Sequence, residues 1–300
     1  MWFKKKTIIQ IPPGGCLPSK PDGRDVLASQ ASPIPQRIPE ICPPPFDLEV
    51  LNQGQEPSCV GFSAAAIKQE RELREKIVET FDGSWVYRKA KEIDGWSGDG
   101  TYLRVGMKIL QKLGAKPLEG KEEDAIRYRI GGYARVDELS FEGLKKAIFV
   151  NGALMAGFTG SKAGWQTKDI RPPKAGEATF GHAVLLFGYN KDYLIGQNSW
   201  SENWGEKGLF YVPKNYLPFE AWEILSDYPT QFLTLEENEG FVAMNSNWAT
   251  DERTLVGLNL RREPKIGDNI IKTLPVGTKI KILEYAGYNS NYFWLRIEVY

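Results

Sequence analysis

Asn52-Gln53-Gly54-Gln55-Glu56-Pro57-Ser58-Cys59-Val60-Gly61-Phe62-Ser63 carries a polar loop, punctuated by Gly and Pro, directly into a helical pattern. Beyond it, Val60, Ala64, Ile67, Leu73 and Ile77 recur at roughly helical spacing, so a helix is expected over Ser58–Thr80. Its second half is charged, with Glu70, Arg71, Glu72, Arg74 and Glu75. Cys59 therefore falls at a helix N-terminus, where free N–H groups and the helix dipole favour a thiolate and hold negative charge. A thiolate there is a nucleophile, and a neighbouring N–H can bind an oxyanion. By itself, a Cys that begins a helix is most often a small buried residue.

A thiol nucleophile needs a base, and the chain contains one histidine, His182. It sits in Gly181-His182-Ala183-Val184-Leu185-Leu186, an apolar run that reads as a strand. Asn198 ends the next strand-like run and can fix the imidazole's orientation, as the third member of a triad does. Taken singly, a histidine in an apolar strand is usually a satisfied core residue, and an Asn at a strand end is usually a turn former.

The composition removes other chemistries. Thirty-eight Lys and Arg balance 38 Asp and Glu, so no electrostatic footprint for nucleic acid is present. Three cysteines, Cys16, Cys42 and Cys59, without a C-x-x-C pair and with a single histidine, speak against a structural zinc site. No metal or other cofactor is expected. The longest apolar run, Ala183–Tyr189, is far short of a membrane span, so no membrane insertion is expected. Met1-Trp2-Phe3-Lys4-Lys5-Lys6 leads into Thr, Ile, Gln and prolines, so no signal peptide is read, and a cytoplasmic or virion-associated setting is expected.

Ten of the 19 prolines lie between Pro12 and Pro45, which makes residues 1–46 an extended arm: a strap over the body, a cover near the site, or a rigid docking arm for a partner. Residues 47–225 are globular. Helices are expected at Trp85–Ile93, over Leu103, Met107, Leu110 and Leu113, and over Phe141, Leu144 and Ile148 with Ser140 as N-cap. Strands are expected at Ala153–Phe158, His182–Tyr189, Tyr193–Gln197 and Leu209–Val212. Helices first and strands second define an α+β class with two lobes. An acidic linker, 226–239, precedes residues 240–300, whose period-two runs are all-β.

The words around the three candidate residues are specific. Asn52-Gln53-Gly54, Ser58-Cys59 and Phe62-Ser63 resemble the nucleophile segment of papain-like cysteine peptidases. Gly181-His182-Ala183-Val184 resembles their histidine segment. Asn198-Ser199-Trp200, with Trp204-Gly205-Glu206 and Gly208, resembles their asparagine segment. The order Cys, His, Asn is the family's own, and the resemblance spans about residues 47–225. It implies a papain-like fold with a helical lobe and a β-barrel lobe, and peptide-bond hydrolysis on protein or peptide substrates. Cys59 would attack the carbonyl and His182 would hold and return the proton. Asn198 would orient His182, and Gln53 would supply half of the oxyanion hole. Ser58, Gly181 and Trp200 would support the site, with Trp200 shielding the Asn198–His182 bond. Glu56, Val60 and Gly181 depart from residues common in the family, which points to a disulfide-poor bacterial or viral branch.

Residues 240–300 resemble a bacterial SH3-like barrel through Leu258-Asn259-Leu260-Arg261, Leu274-Pro275-Val276-Gly277-Thr278 and Trp294-Leu295-Arg296-Ile297. Such a module would bind a cell-wall peptide or a virion protein, with Tyr285, Tyr288 and Tyr292 as a candidate face. Glu239-Gly240-Phe241-Val242-Ala243 is a candidate closing strand. Two other readings remain open: a structural virion or assembly component on a papain-like scaffold, and a murein-peptide endopeptidase.

Overall fold

The computed structural model describes residues 11, 14–32, 37–45, 47–227, 239–244, 258–261, 270–275, 278–289 and 292–299. A two-residue strand, β1 (Cys16–Leu17), and a single helical turn, α1 (Ala28–Ala31), lie in the Pro-rich arm. Then come α2 (Cys59–Arg74), α3 (Gly83–Ile93), β2 (Thr101–Tyr102), α4 (Leu103–Lys112), a 3-10 turn over Glu122–Tyr128, β3 (Ile130–Arg135) and α5 (Phe141–Asn151). Five strands complete the body: β4 (Leu154–Ser161), β5 (Thr179–Tyr189), β6 (Tyr193–Gln197), β7 (Leu209–Pro213) and β8 (Glu220–Asp227).

Local chemistry sets the helix ends. α2 stops at Arg74, earlier than the apolar spacing predicts, because Lys76 adopts a left-handed φ of 61° and the Ile77 N–H turns back to the Glu72 carbonyl at 2.9 Å. α3 starts two residues early because the Asp82 carboxylate accepts the Trp85 N–H at 2.9 Å. Ser140 caps α5 as expected, its hydroxyl accepting the Gly143 N–H at 3.0 Å.

The six antiparallel strands of the body are ordered β3-β8-β4-β5-β6-β7. Alternation along them divides the core in two. One face, with Met155, Ala183, Leu185, Trp222 and Ile224, packs on Cys59, Val60, Ala64 and Ile67 of α2 and on α4. The other, with Leu154, Phe158, Val184 and Leu186, packs on Leu144 and Ile148 of α5 and on Trp165, Trp200 and Trp204. α2 is buried along nearly its whole length, including the charged half: Lys68 pairs with Glu72, and Arg74 donates to Glu70 at 2.6 and 2.7 Å.

Towards the C-terminus, β9 (Glu239–Met244), β10 (Leu258–Arg261), β11 (Ile270–Leu274), β12 (Ile280–Asn289) and β13 (Tyr292–Val299) form an antiparallel sheet ordered β11-β10-β9-β13-β12. The segment expected as a closing strand, β9, lies in the middle of this sheet, paired with β13 from Glu239↔Glu298 to Met244↔Phe293. Most of the acidic 226–239 stretch, and the side chains of Tyr285, Tyr288 and Tyr292, lie outside the described residues. Among the described residues, no helix is long and apolar enough to cross a membrane, and no cluster of His, Cys, Asp and Glu could hold a metal.

Candidate active site

Cys59 opens α2 beneath β5, fully buried. The backbone N–H groups of Ala183, Gly15, Val60 and Cys59 itself face its sulfur. Ala183 lies on the β5 face that packs on α2, while its neighbour His182 lies on the opposite, tryptophan-lined face. β5 thus carries His182 one residue before Ala183, whose N–H reaches the Cys59 sulfur.

His182 Nε2 lies 2.8 Å from Asn198 Oδ1, in a buried bond between β5 and the residue after β6. The same oxygen accepts the Ser199 N–H at 2.8 Å, which fixes the amide's orientation. An Oδ1 acceptor requires Nε2 to carry the hydrogen, and this leaves Nδ1 for proton exchange. Trp200 lies over the imidazole with centroids 4.6 Å apart, and Trp165 meets it edge-on at 5.3 Å. Trp165 is anchored in turn, its indole N–H donating to the Tyr216 hydroxyl at 3.0 Å and its carbonyl accepting from Trp204 at 3.1 Å.

Gln53 joins the site through Ser199. Its Oε1 accepts the Ser199 hydroxyl at 2.7 Å, and its backbone N–H donates to the Ser199 carbonyl at 2.9 Å. One of its amide hydrogens goes to the Glu56 carbonyl at 2.8 Å, which holds the side chain beside the loop that ends in Ser58 and Cys59. Ser58 is fully buried, with its hydroxyl making no hydrogen bond. Gly181 meets the arm: a Cβ there would collide with the Cys16 carbonyl oxygen.

The arm lies across the cleft. The Gly15 N–H donates to the Gly181 carbonyl at 3.0 Å, and the Gly15 carbonyl accepts the Thr101 N–H at 2.9 Å. β1 pairs in parallel with β2 through Cys16↔Thr101 and Leu17↔Tyr102. Gly15–Leu17 thus lies between β2 and β5, with the Gly15 N–H beside the Cys59 sulfur. Cys42 farther along is a strap, pairing with Tyr189 on β5. All three cysteines are free thiols.

This burial has an electrostatic result. Desolvation pushes the Cys59 thiol up to about 11 despite the N–H groups around it. Desolvation also holds His182 down at about 4, against the opposing pull of Asn198. With the arm seated, both groups are neutral at pH 7.

Gln53, Ser199, Asn198 and His182 are linked by hydrogen bonds, and Cys59 lies at the start of α2 against the backbone of Ala183, the residue after His182. Trp165, Tyr216 and Phe180, whose ring centroid lies 6.3 Å from that of the imidazole, carry no signal in the sequence that points to this site. A Trp within Gly-Trp-Gln-Thr, followed by the Pro-rich loop to residue 178, carries no periodic signal that ties it to His182.

Residues 105–223 match the model of the papain family of cysteine proteases. The chain is 26% identical to an uncharacterised peptidase C1-like protein of Acanthamoeba polyphaga mimivirus, over 71% of this chain and 85% of that one. It is also 26% identical to cathepsin K of Mus musculus, over 55% of this chain and little more than half, 56%, of the cathepsin. Among solved structures, xylellain, a cysteine protease from Xylella fastidiosa, superposes with a TM-score of 0.63 at 24% identity, covering 75% of this chain and 98% of that one. The fold is papain-like α+β, and the chain carries a papain-family cysteine protease domain, a hydrolase.

Proposed function

We propose that residues 47–225 form a cysteine endopeptidase in which Cys59, His182, Asn198 and Gln53 carry the chemistry. The observation that carries this reading is the buried Nε2···Oδ1 bond of 2.8 Å between His182 and Asn198, beside a helix that begins with Cys59. Asn198 holds the imidazole with Nδ1 free to take the thiol proton and return it to the leaving amine. The thiolate adds to the peptide carbonyl, and the oxyanion meets the Cys59 N–H and the second amide hydrogen of Gln53. Trp200 and Trp165 exclude water from the His182–Asn198 bond.

In the covered state the thiol–imidazole pair is neutral, so the full chain is latent until Gly15–Leu17 leaves the cleft. Re-solvation then lowers the thiol and raises the imidazole toward the ion pair that attacks. Residues 240–300 are read as an SH3-like module that directs the peptidase to a cell-envelope peptide or a virion protein.

The test is labelling with a thiol-directed epoxide at pH 6–7, mapped by mass spectrometry, on the chain with the arm displaced. One adduct on Cys59, lost in Cys59→Ala and at least tenfold slower in His182→Ala, is the expected result. Equal labelling of Cys16, Cys42 and Cys59, in the native chain and with the arm displaced, would refute an activated thiolate and favour a scaffold role.

A further inference from the structure

The segment in the cleft is Gly14-Gly15-Cys16, and the walls around its two glycines are drawn in to backbone width. A Cβ at Gly15 would run into the Pro57 carbonyl, 2.5 Å from its carbon. A Cβ at Gly14 would lie 2.6 Å from Phe180 Cβ and 2.9 Å from the Gly181 oxygen. Opposite them stand two more glycines: a Cβ at Gly100 would lie 2.6 Å from the Gly15 oxygen, and one at Gly181 would strike the Cys16 oxygen. Beneath, Gly157 leaves room for the Cys16 sulfur, which lies 3.1 Å from where its Cβ would be.

These walls cannot retreat like the ends of flexible side chains. Gly181 is fixed in β5 by its pairing with Thr159 of β4, and Pro57 immediately precedes the buried Ser58–Cys59 start of α2. Gly100 holds φ at 79° and its N–H is tied to the Tyr87 hydroxyl at 3.1 Å. A second chain entering the cleft beside Cys59 meets the same backbone atoms.

We infer that the cleft selects paired glycines, its substrates being protein segments that thread an extended Gly-Gly through the slot between Pro57 and Phe180–Gly181. This deepens the peptidase reading above and rests on it. The arm holds the slot because it carries the same pair.

The test uses the full chain carrying Gly14→Ala and Gly15→Ala, in which the walls expel the arm. A pool of peptides is digested and the cuts are read by mass spectrometry, with Cys59→Ala as control. Paired glycine at or next to the scissile bond is expected, and each Gly→Ala change in a Gly-Gly substrate is expected to lower kcat/KM about tenfold or more. Cys59-dependent cutting that accepts alanine equally at those positions overturns the inference and leaves the peptidase reading standing. An epoxide adduct on Cys59 without cleavage of any Gly-Gly peptide also overturns it. Absence of both adduct and cleavage brings down the two readings together.

Amide exchange in the native chain gives a second readout should the double variant not fold. A soluble Gly-Gly peptide is expected to raise deuterium uptake over residues 11–20 by displacing the arm, whereas its Ala-Ala counterpart is not. Equal uptake with the two peptides overturns the inference.

Discussion

At one end of α2, Lys68 and Glu72 are buried as an ion pair and Glu70 is held by Arg74; at the other, Cys59 and the nearby His182 are buried neutral. The first region answers its buried charges with opposite charge and leaves one neutral atom, Gln69 Oε1, without a hydrogen-bond partner. The second leaves several unanswered: Ser58 Oγ, Asn198 Nδ2 and Trp200 Nε1 are buried without a hydrogen-bond partner. A complete pair fixes the helix against the body, while an incomplete set keeps bonding capacity for a molecule that is to pass through. The same helix thus has a structural end and a reactive end.

Breaking the structural end gives the largest expected effect on stability. Lys68→Ala leaves Glu72 buried without that partner and is expected to cost about 3–5 kcal/mol in denaturant unfolding. The double change Lys68→Met with Glu72→Leu should cost less than the two single changes summed, since it removes both charges. A loss below about 1 kcal/mol for Lys68→Ala would mean that water reaches the pair.

Breaking the reactive end should act on rate. Gln53→Ala, measured in the arm-displaced chain, is expected to lower kcat about 100- to 1000-fold, or about 3 kcal/mol of transition-state stabilisation, with KM nearly unchanged. A rise in KM at constant kcat would show that Gln53 only helps to shape the cleft.

The smallest effect is a cancellation. His182 falls from 6.5 to about 4 on folding, so the unfolded chain binds its proton first and stability is lost as pH falls through that window. Glu223, buried with Asn151 donating to it at 2.9 Å, rises from 4.5 to about 7, so its contribution is present below 4.5 and lost as pH rises toward 7. The two slopes oppose each other between pH 4.5 and 6.5, and the native chain should change little there. Glu223→Gln removes one slope and should expose a loss of about 3 kcal/mol between pH 7 and 4. A flat profile in that variant would show that His182 is hydrated.

What was legible in the sequence follows from how narrowly each job constrains residue type. Cys59, His182 and Asn198 could be read because their chemistry admits few substitutes and the words around them recur in order. β8 was not read as a strand, since Glu220, Glu223 and Asp227 break the apolar alternation. The structure tolerates the first two because Trp222 and Ser19 donate to Glu220 and Asn151 donates to Glu223. β3, Ile-Gly-Gly-Tyr-Ala-Arg, hid behind its glycines, which are weak strand formers. The burial of Lys68, Glu70 and Glu72 was equally hidden, because a charged helical half reads alike whether it faces water or a partner. The place of the arm could not be chosen from composition, since proline fixes an extended chain without saying what the chain crosses.

The packing of β5 on α2 carries one further consequence, for the newly made chain. Cys59 is synthesised about 120 residues before His182, and Asn198 follows 16 residues later. No local segment contains both nucleophile and base. The strand that carries the imidazole pairs with its near neighbours β4 and β6, but it must also pack on α2, a contact of long sequence range that closes late. Hydrolytic competence is therefore among the last properties the domain acquires as it folds, and the Gly15 cover, bonded to Gly181 of the same strand, can close no earlier.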